Sequence, residues 1–155
     1  MAAPSAIQCY AKNLNVEQPT GVTTATVKML LTTSIYTPST VNTGHAVLAD
    51  ITNEVGNGNG YLTGGVTLSS PTITTFSTTG YSFTTANASW TASGSGIPAW
   101  RYGVIYVQGS LWGLTSPLLG YFTGDSAPAD IPNTASGNTL QVSTPANGWY
   151  TVTRT

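Results

Sequence analysis

The residues best suited to chemistry in this sequence are its single histidine and two carboxylates close to it. His45, Asp50 and Glu54 follow one another within one short segment. An imidazole beside a carboxylate can act as a general base, and carboxylates four residues apart can supply oxygen ligands to calcium. The sequence lacks a Gly-x-Ser-x-Gly motif and further acidic residues in this segment. We therefore predict no catalytic residues, no metal site and no cofactor.

The alternative role for these carboxylates is a structural ion pair. Arg101 is the only cation between Lys28 and Arg154, which makes it the natural partner of Asp50 or Glu54. A partly buried carboxylate that loses its cation is strongly destabilising. The sequence therefore predicts that Arg101 pairs with one of these two acids inside the fold.

Aromatic side chains are the other candidates for function. The chain holds four Trp and eight Tyr, and such side chains anchor both carbohydrate-binding surfaces and protein interfaces. Trp112 stands out because it lies in the glycine-containing stretch 109–114, and loops carry contact residues more often than strands do. We predict interface residues at Trp112, Leu111, Tyr10 and Tyr61.

The composition excludes several classes of protein. Charged residues make up 6% of the chain and the net charge is -1, whereas an average domain is roughly 25% charged. Four cations cannot provide an electrostatic footprint for nucleic acid or for an anionic membrane. A hydrophobic content of 40% argues against disorder. The single cysteine excludes an intramolecular disulfide framework and any zinc site made of several cysteines.

The surface left by this composition is neutral and rich in hydroxyl groups. Thr contributes 28 residues, Gly 17, Ser 15 and Asn 10. The long uncharged stretch 102–122 is interrupted by glycine, serine and proline, so strands and loops explain it better than a membrane span. We predict no membrane partner.

The elements that must position these residues are mainly β-strands. β-Branched and aromatic residues alternate with turn residues, which predicts an all-β sandwich, jelly-roll or barrel of about eight short antiparallel strands. Apolar residues of 43–55 at helical spacing predict one short helix. The strands fall at 22–32, 101–108 and 118–122, with hairpins formed by 72–77 with 81–87 and by 140–144 with 149–153, the latter around Asn147-Gly148.

Two segments differ from the strands. We predict that residues 1–21 form an extended N-terminal arm and that residues 22–155 form a single β-rich domain. The glycine-rich stretch 56–65 has no Gly-Lys-Ser/Thr ending, so it predicts a turn that needs positive φ rather than a phosphate-binding loop.

An ordered series of short motifs across roughly residues 26–153 resembles a family of small tailed-bacteriophage structural proteins encoded among head genes. The series comprises 27–31 (VKMLL), 36–38 (YTP), His45, 50–55 (DITNEV), 58–61 (GNGY), 64–68 (GGVTL), 89–90 (SW), 99–106 (AWRYGVIY) and 116–122 (SPLLGYF). The chain departs from the family in a longer stretch at 107–115 and in 84–88 (TTANA), where the family carries acidic residues.

The resemblance implies a virion component, a capsid decoration or cement protein with a β-rich fold. Such a protein is made in the cytoplasm of the bacterial host. It then binds the outside of the major capsid protein lattice as a homo-oligomer, a dimer or a trimer, and stabilises the head. The family carries no catalytic residues. A surface with few charges agrees with this expectation, because uncharged groups cost less to bury in a large interface. The alternative is an adhesion module of a head or tail fibre that binds host surface glycans through exposed aromatics.

Overall fold

The computed structural model is an all-β protein in which every strand pairing is antiparallel. It describes residues 8–9, 21–41, 43–77, 80–127 and 129–153. Eight of its strands are four or more residues long, as predicted, and four have two residues. The strands are β1 Gln8–Cys9, β2 Thr26–Thr32, β3 Val66–Thr67, β4 Thr72–Ser77, β5 Gly80–Thr84, β6 Ala88–Thr91, β7 Tyr102–Gln108, β8 Ser110–Leu111, β9 Leu114–Thr115, β10 Leu118–Thr123, β11 Thr139–Val142 and β12 Tyr150–Thr153.

A five-stranded sheet forms one layer, with the strand order β1-β10-β7-β2-β3. At its centre β2 and β7 pair along their whole length, from Thr26 opposite Gln108 to Thr32 opposite Tyr102. The other layer consists of the three-stranded sheet β12-β5-β4 and the pair β11-β6, and β8 and β9 form a separate small hairpin.

The main hydrophobic core lies between these layers, as in a β-sandwich. Alternate residues of β2 and β7 point into it, among them Met29 and Ile105. The facing layer contributes Phe83 from β5 and Trp90 from β6. The predicted all-β sandwich is therefore confirmed. Trp100 and Trp149 are fully buried in the same core.

The five-stranded sheet is also covered on its outer face. A second cluster contains Leu30, Tyr36, Val104, Tyr106 and Leu118, with Leu48 and Ile51 packed against it. Those last two residues, like Tyr36, come from the long connection between β2 and β3. Because both faces are buried, β2 and β7 carry apolar residues almost continuously instead of alternating with polar ones.

The helix predicted over 43–55 is wrong. Only Leu48–Asp50 forms a single 3₁₀ turn, and Val47 and Ile51 on either side of it are extended. β-Branched residues lose side-chain freedom in a helix. The Asp50 carboxylate also accepts hydrogen bonds from the main-chain N–H groups of Ala46 and Val47, which offers the backbone an alternative to helical bonding.

One predicted hairpin is confirmed and the other is wrong. Strands β4 and β5 pair as expected. The turn before Gly148 also forms, and the N–H of Gly148 donates to the carbonyl of Pro145 at 2.8 Å. However, β11 pairs with β6 and β12 with β5, so this turn directs the chain from one sheet to another.

The predicted extended arm, residues 1–21, lies mostly outside the described residues. The structure describes Gln8 and Cys9, which form β1, and Gly21, which precedes β2.

Candidate functional site

Arg101 pairs with Asp130 rather than with Asp50 or Glu54, which corrects the predicted ion pair. Its Nε lies 2.7 Å from Oδ1 of Asp130, and the two side chains are 26% and 41% exposed. The hydroxyl of Ser34 donates to the other carboxylate oxygen at 3.3 Å. This salt bridge therefore joins three loops at the surface instead of neutralising a buried acid.

His45 and Asp50 hold the loop that covers the outer face of the five-stranded sheet. The hydroxyl of Tyr36 lies 2.9 Å from Nδ1 of His45, and the two rings stack. The Asp50 carboxylate accepts from the N–H groups of Ala46 at 2.7 Å and Val47 at 3.0 Å. These bonds give both groups a structural role.

Glu54 belongs to a network at the side of the sandwich. Its Oε1 accepts the hydroxyl proton of Tyr61 at 2.8 Å and the N–H of Gly64 at 2.6 Å. The Tyr61 oxygen in turn accepts the N–H of Leu31 at 3.0 Å. The hydroxyl of Tyr106 donates to the carbonyl of Gly64 at 2.8 Å. The network thus attaches the glycine-rich loop to β2 at Leu31, near the end of that strand.

The network keeps its phenols protonated. Burial raises the pKa of Tyr61 far above the usual range of tyrosine, and the negative charge of Glu54 adds to this, although the hydrogen bond from Leu31 opposes it. Burial and the charge of Glu54 also raise the pKa of Tyr106, to about 12. A phenol that holds its proton this tightly serves as a hydrogen-bond donor, not as a base or nucleophile.

The loop at 56–65 lies directly on backbone from both layers of the sandwich. Gly65 has a φ of 71°, and a Cβ there would collide with the carbonyl oxygen of Met29 in β2. Gly60 has a φ of 93°, and a Cβ there would collide with the carbonyl oxygen of Thr91 in β6. Tyr61 lies between them and stacks on Trp90. The predicted turn with positive φ is confirmed, and Gly60 and Gly65 allow the loop to pack closely on the main chain.

The four predicted interface residues differ in burial and in whether the structure describes them. Tyr61 is fully buried in the main core, so it is not an interface residue. Leu111 and Trp112 are half-buried at the tip of the β8–β9 hairpin and pack against the same core. Trp112 has a φ of 54°, followed by 74° at Gly113, as the tightest hairpin turns require. Tyr10 lies outside the described residues.

Among the residues that the structure describes, the most exposed large apolar side chains are ones that the sequence analysis did not single out. Ile35, Val41 and Leu62 are 74%, 61% and 69% exposed. Ile35 and Val41 belong to the segment that covers the outer face of the five-stranded sheet, and Leu62 follows the buried Tyr61 in the glycine-rich loop. In the sequence these three are isolated aliphatic residues among turn residues. That pattern does not distinguish an exposed loop residue from one that packs inwards.

The charged side chains of the described residues are used mainly within the fold. Asp50, Glu54 and Asp130 accept the bonds given above, and Arg101 donates to Asp130. Asp125 accepts the N–H of Ala127 at 2.9 Å. The remaining described charge, on Lys28, is half-buried in β2. The described surface therefore consists largely of neutral hydroxyl, amide and apolar groups.

Two further observations concern metal and membrane. Within the described ranges, no group of three or more His, Cys, Asp and Glu side chains is placed to hold a metal ion. No helix in the part of the chain that the structure describes has the length and apolarity needed to cross a membrane.

The chain matches no protein-family model, and neither the curated proteins nor the solved structures contain a match to it.

Proposed function

We propose that this chain is a bacteriophage virion structural protein. Specifically, we propose a capsid decoration protein that binds the outside of the major capsid protein lattice as a homo-oligomer and stabilises the head. It would be made in the cytoplasm of the bacterial host and act on the virion surface. The ordered motifs of the sequence support the family, and the neutral surface supports the mode of action.

The observation that carries the proposal is that most charged side chains of the described residues bond to other groups of the same chain. Desolvating an ion without a partner costs several kcal/mol, whereas the described surface offers mainly hydroxyl and amide groups, which can exchange water for hydrogen bonds in an interface. A flat lattice contact over such a surface needs few compensating charges. This property suits a protein whose work is to adhere to other proteins.

Ile35, Val41 and Leu62 are the anchors we assign to this contact. Each is more than half exposed on a loop, and burying such a side chain completely is worth about 1.5–3 kcal/mol. Hydrogen bonds of the surrounding hydroxyl-rich surface would supply orientation. The predicted aromatic platform of a glycan-binding module has weaker support, because Tyr61 is buried and Trp112 half-buried.

The test mixes purified full-length protein with empty phage heads assembled without it. We expect the protein to sediment with the heads in a saturable manner and to raise the temperature at which they disrupt. If it neither sediments with the heads nor shifts that temperature, the proposal is wrong. Glycan-array binding that Trp112→Ala abolishes, without head binding, would instead support the adhesion module.

Single variants locate the contact. Ile35→Ser, Val41→Ser and Leu62→Ser remove exposed apolar surface, so each should leave the fold intact and weaken binding at least several-fold, since 1.4 kcal/mol corresponds to a factor of ten. Gln141→Ser is the matched control, because Gln141 is an exposed residue of β11 in the other layer. Equal binding by all four variants would mean that the contact lies elsewhere.

A further inference from the structure

The outer face of the five-stranded sheet carries a polar surface at the start of β2. Leu30 lies in the outer cluster, and alternate residues of a strand share a face, so Thr26 and Lys28 lie on that face too. Thr67 of β3 is opposite Lys28 in the register. Gln108 of β7 is opposite Thr26. Thr26, Thr67 and Gln108 are exposed. We call these four residues the Lys28 patch.

The charge of Lys28 is not compensated within the described chain. Among the charged side chains that the structure describes, only Lys28 has neither a salt bridge nor a hydrogen bond. The residue is half-buried, but its nitrogen is not among the buried polar atoms that lack a partner, so the ammonium reaches solvent.

Glu54 approaches this ammonium without pairing with it. A Cβ on Gly64 would lie 3.4 Å from Nζ of Lys28, and the N–H of Gly64 donates to Glu54 at 2.6 Å. The carboxylate also accepts the hydroxyl proton of Tyr61. Because Glu54 is used in this network and forms no salt bridge, the ammonium is available to a carboxylate from outside the chain.

An exposed apolar side chain lies in the loop next to the ammonium. Leu62 begins the turn that contains Gly64, and the N–H of Gly65 closes this turn on the carbonyl of Leu62 at 2.8 Å. Leu62 itself is mostly exposed. This side of the molecule therefore offers an apolar anchor, hydroxyl groups and a single positive charge.

We infer that the Lys28 patch binds a carboxylate, the side chain of an Asp or Glu on a partner protein. Covering an ammonium without an opposite charge is strongly unfavourable, so a protein that covers this patch has to present an anion to it. A carboxylate can accept from the ammonium and from neighbouring hydroxyls. One cation is too little charge for nucleic acid. The inference rests on the proposed function for the identity of the partner, the head protein, and adds the chemical group that it presents.

Carbodiimide cross-linking tests this contact directly. The reagent activates a carboxylate, and an amine in contact with it displaces the urea and forms an amide. Lys12 and Lys28 are the two lysines of the chain. Full-length protein is bound to empty phage heads, cross-linked and digested, and the linked peptides are identified by mass spectrometry. We expect Lys28 joined to an Asp or Glu of the head protein, and no such link for Lys28→Arg, which keeps the charge without a primary amine.

Binding measurements separate the charge of Lys28 from charge in general. Lys28→Met keeps the apolar stem and should weaken binding to the heads at least about tenfold, whereas Lys28→Arg should weaken it less than about threefold. Arg101→Gln is the matched control, because it removes the same charge where Asp130 is already the partner. It should bind as well as the unchanged protein. Urea unfolding verifies that each variant is folded.

The failure of this inference differs from the failure of the proposed function. Equal binding by Lys28→Met and the unchanged protein overturns the inference and leaves the proposed function standing. Equal weakening by Arg101→Gln, or links that run only through Lys12 or the N-terminal amine, does the same. If the unchanged protein does not bind the heads, the proposed function is wrong, and the inference about its partner is overturned with it.

Discussion

The hydroxyl group of Tyr61 offers the sharpest test of how the fold is held together. Beyond the short strand β3, no named strand pairs with β2 at Leu31 among the described residues, and only residues 53–55 lie along this edge, where Glu54 forms an isolated bridge with Thr32. Instead, the carbonyl of Leu31 accepts the N–H of Val55 at 2.9 Å, and its N–H donates to the Tyr61 oxygen at 3.0 Å. The phenol oxygen thus takes the place of a main-chain carbonyl as the acceptor for this N–H. Tyr61→Phe removes this acceptor without changing the shape of the ring.

The expected cost follows from the two bonds that are lost. The N–H of Leu31 is left buried and without its acceptor, which costs about 1–3 kcal/mol, and a hydrogen bond to a charged group such as Glu54 contributes about 1.5–3 kcal/mol. The carboxylate retains the N–H of Gly64, and phenylalanine avoids the desolvation of a hydroxyl. We therefore expect Tyr61→Phe to lower the free energy of unfolding by about 2–4 kcal/mol.

The assay is urea unfolding followed by tryptophan fluorescence, since Trp100 and Trp149 are buried in the main core. The midpoint should fall with an unchanged slope, which identifies a change in stability rather than in the denatured state. Tyr106→Phe is the matched control, because it removes a single bond to the carbonyl of Gly64 and should cost about 0.5–1.5 kcal/mol. A loss for Tyr61→Phe no larger than that of Tyr106→Phe would refute this reasoning.

Three further predictions concern pH, the surface ion pair and the glycine-rich loop. Because the pKa of Tyr61 is raised, the folded protein keeps a proton that the unfolded chain releases near pH 10. The contribution of Tyr61 to the free energy of unfolding is therefore complete below about pH 10 and then falls by about 1.4 kcal/mol per pH unit, which urea midpoints measured from pH 8 to 11.5 should show. Arg101→Ala breaks an exposed salt bridge to Asp130 and should cost at most about 1 kcal/mol, or about 2–4 °C in a thermal melt. Gly65→Ala places a Cβ against main-chain atoms at positive φ and should cost about 2–5 kcal/mol in urea unfolding.

Each of these predictions has a control. Tyr61→Phe should make the decline of the unfolding free energy above about pH 10 shallower by about 1.4 kcal/mol per pH unit. An unchanged decline would mean that other tyrosines cause it. A loss above about 2 kcal/mol for Arg101→Ala would show that the pair behaves as a buried one. Gly56→Ala lies in open space without positive φ, so it should change stability by less than about 1 kcal/mol. Equal effects at Gly56 and Gly65 would contradict the close packing of the loop.

Local patterns were sufficient for the strands that lie at the centre of the molecule. The β-branched and aromatic residues of 101–108 predicted the strand β7, and the structure places Ile105 in the main core and Val104 in the outer cluster. The hairpin of β4 and β5 was also predictable, because its strands are adjacent in the chain. Neighbouring residues determine such elements through side-chain direction and turn geometry.

Long-range pairings could not be predicted in the same way. Asn147-Gly148 correctly indicated a turn, but the partners of the flanking strands lie 48 or more residues away, in β6 and in β5. A turn signal reports the local backbone and carries no information on which edge is available for pairing. The same limit explains why Arg101 was assigned to Asp50 or Glu54 instead of Asp130, since proximity of ions is decided by the packing of loops.

By itself, the sequence determined an all-β chain with few charges. Composition and the local pattern of strand and turn residues are sufficient for this, because neither depends on which distant segments come into contact. Only the tertiary structure decided that Tyr61 is buried, that Glu54 bonds a phenol, and that Ile35 and Leu62 remain exposed. These outcomes depend on which elements cover one another. Most of the few charged side chains that the structure describes therefore bond to groups of the same chain, through contacts that form only when the loops pack together.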